Sequence, residues 1–589
     1  MSDFIFSSKT KERGELSKEI RSIYKENIPW INEYHGEWGS LAVSRNLYNG
    51  FDPIENNTHI LIMIGGPILT FTDNKFLNGK DNSYGTKIIY NKFEKMKWDE
   101  DLSGPYVIFL INKKFKTIKI VTDIMSFIPV YISMKGDEKY IGTHIDSLEK
   151  ISGNNVEIDL ISITDLIING YVTFPYTTYK DIRQLAPACI HEWNIGDDKY
   201  KYSYYWIPME KIEYKNIKIA ALDLKKYLKN FIDSVTEDMD NIGTFITGGE
   251  DSRLILSLLP KNKKCDSFIY LDRYNREGRI AKKASKIFNA NFNIYYRSKT
   301  HYLDILPECS DFVGSCSQYV HSHTYKLYKE SNLLDYKAVF GGFLSDCLIK
   351  AIDIKKYDIY DFILIQYVHT LFDKISNKSQ KNLINIIDNE IINKINKRHM
   401  DYLNKVKEIR GKSAENWFRL WPMSMNEAMP YFYCNRRLFR IYEPFMSNEV
   451  VKFSASVPQK WKISRRLFNI IARDSLKPSK YLIHTEGWMP SLPWYFNIFI
   501  SRFYKILFKL LKTFRIEKTN QGPWFDPKEL FREDIWNKLV IRYTNNHTSM
   551  EEIFKSDIKN LLLYSELDYI QKITILQVLY FLNKNNGDI

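Results

Sequence analysis

The sequence predicts an α/β protein in two parts. The first is an α+β N-terminal domain with antiparallel sheets; the second is a C-terminal domain built on a parallel sheet with many added helices. Three observations predict this. Short runs rich in Ile, Val and Tyr, separated by turn residues, fill the first ~200 positions. Strand and helix patterns then alternate through the middle of the chain. Beyond that, apolar residues recur at helical spacing. A chain of 589 residues exceeds what one core usually organises and suits two or three domains. Its composition, 44% hydrophobic and 26% charged, is that of a folded protein and excludes a disordered one.

HILIMIGGPIL (59–69), PYVIFLIN (105–112), TIKIVTD (117–123) and PVYISM (129–134) read as consecutive strands, turned at Asn112-Lys113-Lys114 and Gly136-Asp137. A helix over 159–170 opens on Asp159 and stops at Gly170. Strands resume at 177–179 and 189–193. The period changes near 217, where IKIAALDLKKYLKNFIDSVTEDM carries apolar residues at helical spacing. Next come a strand at 242–246, a tight glycine turn, helix 251–259, strand 267–271, helix 277–288 and strand 292–296. A further strand, 338–340, also ends on glycines. Ser379 is positioned to cap a helix carrying Leu383, Ile386, Ile387, Ile391 and Ile395. The boundary falls at about 205–215, dividing the chain into 1–210 and 211–589.

The net charge of +14 favours anionic partners without choosing among nucleotides, nucleic acid, acidic sugars and lipid headgroups. Six scattered cysteines (189, 265, 309, 316, 347, 434) form no CxxC pair, which excludes a disulfide framework and implies a reducing compartment. No uncharged apolar run is long enough to span a membrane. The opening MSDFIFSSKTKERGELSKEI lacks the apolar core of a signal peptide, so a cytoplasmic protein is expected.

The stretch that carries chemistry is FITGGEDSRLIL (245–256). A strand runs into Thr247-Gly248-Gly249-Glu250-Asp251-Ser252 and a helix starts at once. Glycines let the backbone turn sharply and approach a ligand closely. The free N–H groups and positive dipole end of a new helix suit a pyrophosphate. Thr247 and Ser252 add hydroxyl donors, and Asp251 an oxygen ligand suited to Mg²⁺. An ordinary turn with an Asp/Ser cap is the plainer reading, and the surrounding strand–helix alternation weighs against it.

Residues 247–252 resemble the SGGxDS pyrophosphate loop of the asparagine synthetase-like enzymes. Arg253, which follows, is the variant of members that are not true asparagine synthetases. The similarity continues in GYVTFPYTTYKDIRQLAPA (170–188) and in GPYVIFLINKKFKTIKIVTDIMSFIPVYISMKGDEKYIGTHIDSL (104–148). It extends to VFGGFLSD (339–346), at the place of the second nucleotide loop G-E-G-x-D, and to YEPFMSNEVVKFSASVP (442–458). The resemblance implies a class II glutamine amidotransferase-like N-terminal domain and a PP-loop ATP pyrophosphatase domain. It implies Thr247, Gly248, Gly249, Asp251 and Ser252 on pyrophosphate, and Asp251 and Asp346 on Mg²⁺. Gly341 and Gly342 would lie beside adenosine, and Ile246 would line its pocket. The implied reaction joins a carboxylate to ATP as an acyl-adenylate with release of pyrophosphate; ammonia or an amine then displaces AMP to form an amide.

Three departures narrow this. Glutamine-hydrolysing members need an N-terminal cysteine, whereas this chain begins Met1-Ser2-Asp3-Phe4 and its earliest cysteine is Cys189. The N-terminal domain is therefore expected to be a non-hydrolytic scaffold. Phe343 replaces the G-E-G-x-D carboxylate, and Arg440 replaces the Glu of E-x-R-x-P-F. Arg466 falls where the family carries a lysine; Arg neutralises phosphate but is a poor proton donor or acceptor. Arg440 and Arg466 would suit an anionic acceptor, a uronic acid or a peptide carboxylate.

Weaker signals remain. His321 and His323 precede the second loop; His323 is a candidate general base beside a purely structural reading, and no third metal ligand is evident. Tyr431 and Tyr433 read as core. WYFNIFISRFYKILFKLLKTFR (494–515) is basic and apolar, with Arg502, Lys505, Lys509 and Lys512 at near-helical spacing. It suits a helix packed on the domain or one lying on the inner face of a membrane, the packed reading being favoured. Amidation of a sugar acid for surface polysaccharide and lasso-peptide-type ring closure are the settings considered. A tRNA-modifying PP-loop enzyme leaves residues 1–200 unexplained, so nucleic acid is not favoured. A nucleotide-binding pseudoenzyme is prompted by the substitutions at 343, 440 and 466, and opposed by retention of Asp251 and Asp346.

Overall fold

The protein's structure, a computed structural model, describes residues 2–25, 27–79, 81–153, 157–195, 199–351, 382–485, 487–513, 521–544, 548–565 and 567–586. Two six-stranded antiparallel sheets organise the N-terminal region. One runs in the order Ile182–Gln184, Tyr131–Lys135, Glu138–Gly142, Phe4–Ser7, Gly39–Ser44, Ile31–Gly36. The other runs Tyr200–Tyr204, Cys189–Asn194, Thr117–Thr122, Tyr106–Asn112, His59–Gly65, Ile54–Glu55. Their apolar faces meet: the rings of Phe4 and Phe6 in the first sheet lie 5.0 and 5.3 Å from that of Phe109 in the second. This contact buries the inner face of each sheet; Phe4–Ser7, Gly39–Ser44, His59–Gly65 and Tyr106–Asn112 are buried on the other face as well, whereas the strands Ile31–Gly36 and Tyr200–Tyr204 stay partly or wholly open. The strand expected at 177–179 is reduced to a single bridge, Ile158 to Tyr179. There the Thr177 hydroxyl lies 3.0 and 2.9 Å from the carbonyls of Tyr179 and Ile182, giving the backbone a local alternative to a ladder. The helix Leu160–Asn169 begins and ends where expected. Asp159 accepts from the Ile161 N–H, and Gly170 closes it at φ 79°.

The C-terminal region holds five parallel strands in the order Asn291–Tyr296, Lys264–Leu271, Asn241–Phe245, Val339–Phe340, Ile441–Tyr442. In chain order this is 3-2-1-4-5, so the direction of winding reverses between Asn241–Phe245 and Val339–Phe340. Crevices at such a reversal, beyond the carboxyl ends of the strands, are where open α/β sheets bind ligands. Gly243 pairs with Val339 and Thr244 with Phe340, which brings the two glycine turns out side by side. The edge strand Ile441–Tyr442 has two residues and therefore no periodicity to read.

The long helix expected from Ser379 is broken. Ser379 lies outside the described residues. Ile387 pairs with Phe554, and Asp388 caps a new helix, Asn389–Arg410, by accepting from Glu390 and Ile391 N–H. Leu383 and Ile386 therefore precede the break, while Ile391 and Ile395 follow it. None of the six cysteines is in a disulfide.

Candidate active site

The first loop is held by its own hydroxyls. Thr247 N–H donates to Ser252 Oγ at 3.0 Å, Gly249 N–H to Thr247 Oγ1 at 3.1 Å, and Gly248 N–H to the Glu277 carboxylate at 2.6 Å. Gly249 precedes the helix Glu250–Leu258, whose first turn no side chain caps. Those N–H groups are the donors an anion would take. Arg253 is fully buried and donates to the carbonyls of Gly249 and Leu482 (2.9 and 2.8 Å), fastening the segment before His484 to the loop. Ile246 is wholly buried in the sheet, so its side chain offers no surface to a ligand in this conformation.

The second loop touches the first through backbone. A Cβ on Gly342 would stand 3.0 Å from the Asp251 carbonyl carbon and 3.1 Å from Ser252 N; one on Gly341 would stand 2.1 Å from Glu443 Oε1. A side chain at Gly341 would collide with the buried Glu443 carboxyl, and one at Gly342 would press on the backbone of the first loop. Asp346 follows, and Lys350 four residues later reaches both loops: its Nζ lies 2.5 Å from Asp251 Oδ2 and 2.9 Å from Asp346 Oδ1. The two aspartates singled out from sequence thus share one ammonium. Burial pushes the Asp251 carboxyl up. The same burial opposes ionisation of Asp346, but Lys350 outweighs it and holds that carboxyl below its usual range. Asp251 Oδ1 is buried without a partner, which fits an oxygen left for a divalent cation.

Arg466 does not reach the loops. Its guanidinium lies over Trp494 at 4.4 Å, while Arg465 donates to Glu250, on the first turn of the loop helix, at 2.7 Å. Left-handed backbone at Ser464 and Arg465 (φ 57° and 61°) turns the chain just before helix Arg466–Ser475, so counting along the sequence lands one residue late. Were a nucleotide to bind at this loop, Arg465→Ala would weaken its binding at least tenfold and Arg466→Ala less than threefold, measured by titration calorimetry. Arg440 is likewise displaced. It sits before the strand Ile441–Tyr442, at the end of the sheet opposite the loops, and donates to the carbonyls of Leu47 and Tyr336.

The acid that faces the second loop is Glu443. It accepts from Phe343 N–H at 2.9 Å, which sets its carboxyl against the second loop. Burial pushes Glu443 up to about 8. A carboxyl whose folded pKa exceeds its unfolded one binds its proton more tightly when folded, so its contribution to stability falls as pH rises from about 4.5 to about 8. Glu443→Gln is expected to flatten that part of the fall relative to wild type, read from denaturant midpoints at pH 5 and pH 8.

His323 lies in a packed cluster. Its Nδ1 is 2.8 Å from Tyr302 Oη and its ring 4.5 Å from that of Trp524. Burial, then Arg297, hold it well below the usual imidazole range and hence neutral; burial also lowers neighbouring His321 to about 4. The backbone at Tyr319–His321 is a short 3₁₀ turn. Among the described residues no three His, Cys, Asp or Glu groups converge as a metal site. Tyr433 is core, whereas Tyr431 packs on Phe343 at 4.9 Å, beside the Glu443 carboxyl. Sequence reasoning does not find Lys350, Glu443, Arg465 or Glu277. Only Lys350 carries a local signal, the i,i+4 spacing from Asp346.

At the start of the N-terminal region Asp3 is fully buried. Arg437 grips it with two nitrogens (2.8 and 2.9 Å), Arg436 with one (3.0 Å), and Thr143 and Tyr24 donate hydroxyls to it. Arg436 also donates to Ser2 O at 2.7 Å. The cavity there, reaching from Ser2 to Glu443, measures about 10 Å³, room for about one water. Residues 73–206 match the glutamine amidotransferase domain family. This amidotransferase-like stretch lies in the N-terminal region and amounts to under a quarter of the chain. No curated protein matches the chain. Two solved structures show loose similarity. One is glutamine phosphoribosylpyrophosphate amidotransferase from B. subtilis complexed with ADP and GMP: 11% identity, TM-score 0.22, 42% of this chain against 61% of that one. The other is the allosteric regulatory enzyme of purine biosynthesis: 9% identity, TM-score 0.22, 50% of this chain against 80% of that one. Overlap that loose carries no argument about chemistry.

Proposed function

We propose that this chain is an ATP-dependent amide-forming ligase of the asparagine synthetase-like type. It would activate a carboxylate as an acyl-adenylate with release of pyrophosphate and pass it to ammonia or an amine. The observation that carries the reading is the meeting of two glycine loops at the winding reversal of a parallel sheet, with Asp251 and Asp346 turned onto one cation. The first-turn N–H groups of helix Glu250–Leu258 and the hydroxyls of Thr247 and Ser252 bind the phosphates in this reading. Asp251 and Asp346 would hold Mg²⁺, which neutralises charge on the leaving pyrophosphate. Arg465, paired with Glu250, braces the first turn of the loop helix. The amidotransferase-like domain acts as scaffold; the buried Asp3 cluster and the lack of room beside Ser2 support this. The acid is a sugar acid in surface polysaccharide synthesis or a peptide carboxylate, the latter including lasso-type ring closure. A pyrophosphate-release assay across such acids, with ammonium or amines, tests the proposal. If every acid fails while ATP still binds, the chain is a nucleotide-binding pseudoenzyme, a reading favoured by the Lys350 ammonium already seated between the carboxylates.

A further inference from the structure

We infer that helix Trp494–Thr513 docks the protein onto an anionic lipid surface. The packed helix favoured on sequence grounds would hide its large apolar residues. Instead Phe496, Phe499, Phe503 and Ile506 are 53%, 60%, 66% and 54% exposed, with Tyr495 and Leu507 also open. At about 100° per residue these six positions fall within an arc of about 120°. The opposite side is the one tied down. Asn497 is fully buried, accepts from Met489 N–H and donates to the carbonyls of Met489 and Leu492, and Ser501 is also buried. Gly487, at φ 89°, lets the chain pass against Tyr504, where a Cβ would stand 2.7 Å from its Cβ. The inner side is therefore anchored and the apolar side is presented outward.

Charge selects the occupant. The helix carries Arg502, Lys505, Lys509 and Lys512 and no acidic residue. By the same count these four positions form a row of about 80° directly beside the apolar arc. An apolar stripe bordered by basic residues is the pattern that lies in a membrane interface, rings among the acyl chains and cations at the headgroups. No described helix is long and apolar enough to cross a membrane, so this one lies along it. The chain passes from the helix back through Trp488 and Thr485 to the first loop, where Thr485 comes within 2.9 Å of a Cβ placed on Gly248. The docked face and the candidate site are thus joined by one short segment. The inference does not depend on the ligase reading.

The test is vesicle flotation with the full chain. At low salt at least tenfold more protein should float with vesicles containing phosphatidylglycerol than with phosphatidylcholine alone, and the excess should fall at roughly 0.5 M salt, where charges are screened within a few ångströms. Phe499→Glu/Phe503→Glu should reduce flotation to the neutral-vesicle level with an unchanged unfolding midpoint, and Lys505→Glu/Lys509→Glu should remove the anionic preference. Absence of flotation on both vesicles would overturn the inference, as would full flotation of the phenylalanine variant. A wild-type dimer that this variant converts to monomer, without vesicle binding, would overturn it in favour of a second copy of the chain.

Discussion

Replacing Asp3 with alanine is expected to cost about 3–5 kcal/mol, because it strands two buried guanidinium groups without their carboxylate. Asp3 lies on the N-terminal region and Arg436 and Arg437 on helix Pro430–Leu438, so the loss falls on the contact between the two halves of the chain. Burial alone would raise the Asp3 pKa, but Arg437 and Arg436 outweigh it and hold the carboxyl well below its usual range. A depressed folded pKa contributes stability above the unfolded value and loses it as pH falls through the folded one. The contribution is thus whole at pH 7 and persists to about pH 4, disappearing only in stronger acid. Urea midpoints of wild type and Asp3→Ala measure the effect. Asp3→Leu with Arg436→Met and Arg437→Met should recover much of it, since apolar replacement of a buried ion cluster removes both charge and desolvation cost. A shift below about 0.5 kcal/mol for Asp3→Ala would show that the cluster does not hold the halves together.

For the proposed ligase reaction, Asp251→Ala is expected to lower pyrophosphate release by about 10²–10³-fold, as for loss of one preorganised group at a developing charge. Lys350→Met makes the complementary prediction. Without the ammonium, the Asp251 carboxylate and the half-exposed Asp346 carboxylate repel, and the variant should be less stable than wild type. Added Mg²⁺ should restore that stability, raising the melting temperature of Lys350→Met by several degrees and of wild type by less. Equal Mg²⁺ responses in the two proteins would mean that the aspartate pair is not a cation site.

Several features are legible in the amino-acid sequence. The apolar runs at 105–112 and 117–123 become neighbouring strands because an unbroken Ile/Val run bounded by turn residues has few other ways to be buried. Asp159 and Gly170 bound their helix because capping is a local hydrogen bond and αL closure a local backbone choice. The first loop is readable for the same reason: strand, glycines, hydroxyls and helix start occupy a dozen consecutive residues.

Which residue faces which across the fold is not legible in this way. Counting along the chain singles out Arg466 and Arg440, yet two left-handed residues turn Arg465 toward the first loop instead, and parallel pairing puts Arg440 at the end of its strand away from the loops and Glu443 at the end beside them. The helix at 494–513 is legible as amphipathic, but which side it buries depends on Gly487 and Met489, which meet its Tyr504 and Asn497 from outside the repeat. By itself the sequence determined the α/β class, most element boundaries and the strand–glycine–helix form of the first loop, because each of these follows from short-range hydrogen bonding and periodicity. Only the tertiary structure decided that Lys350 joins Asp251 to Asp346 and that Asp3 meets two arginines more than four hundred residues away, since such pairings are set by strand order and packing, which no local pattern encodes.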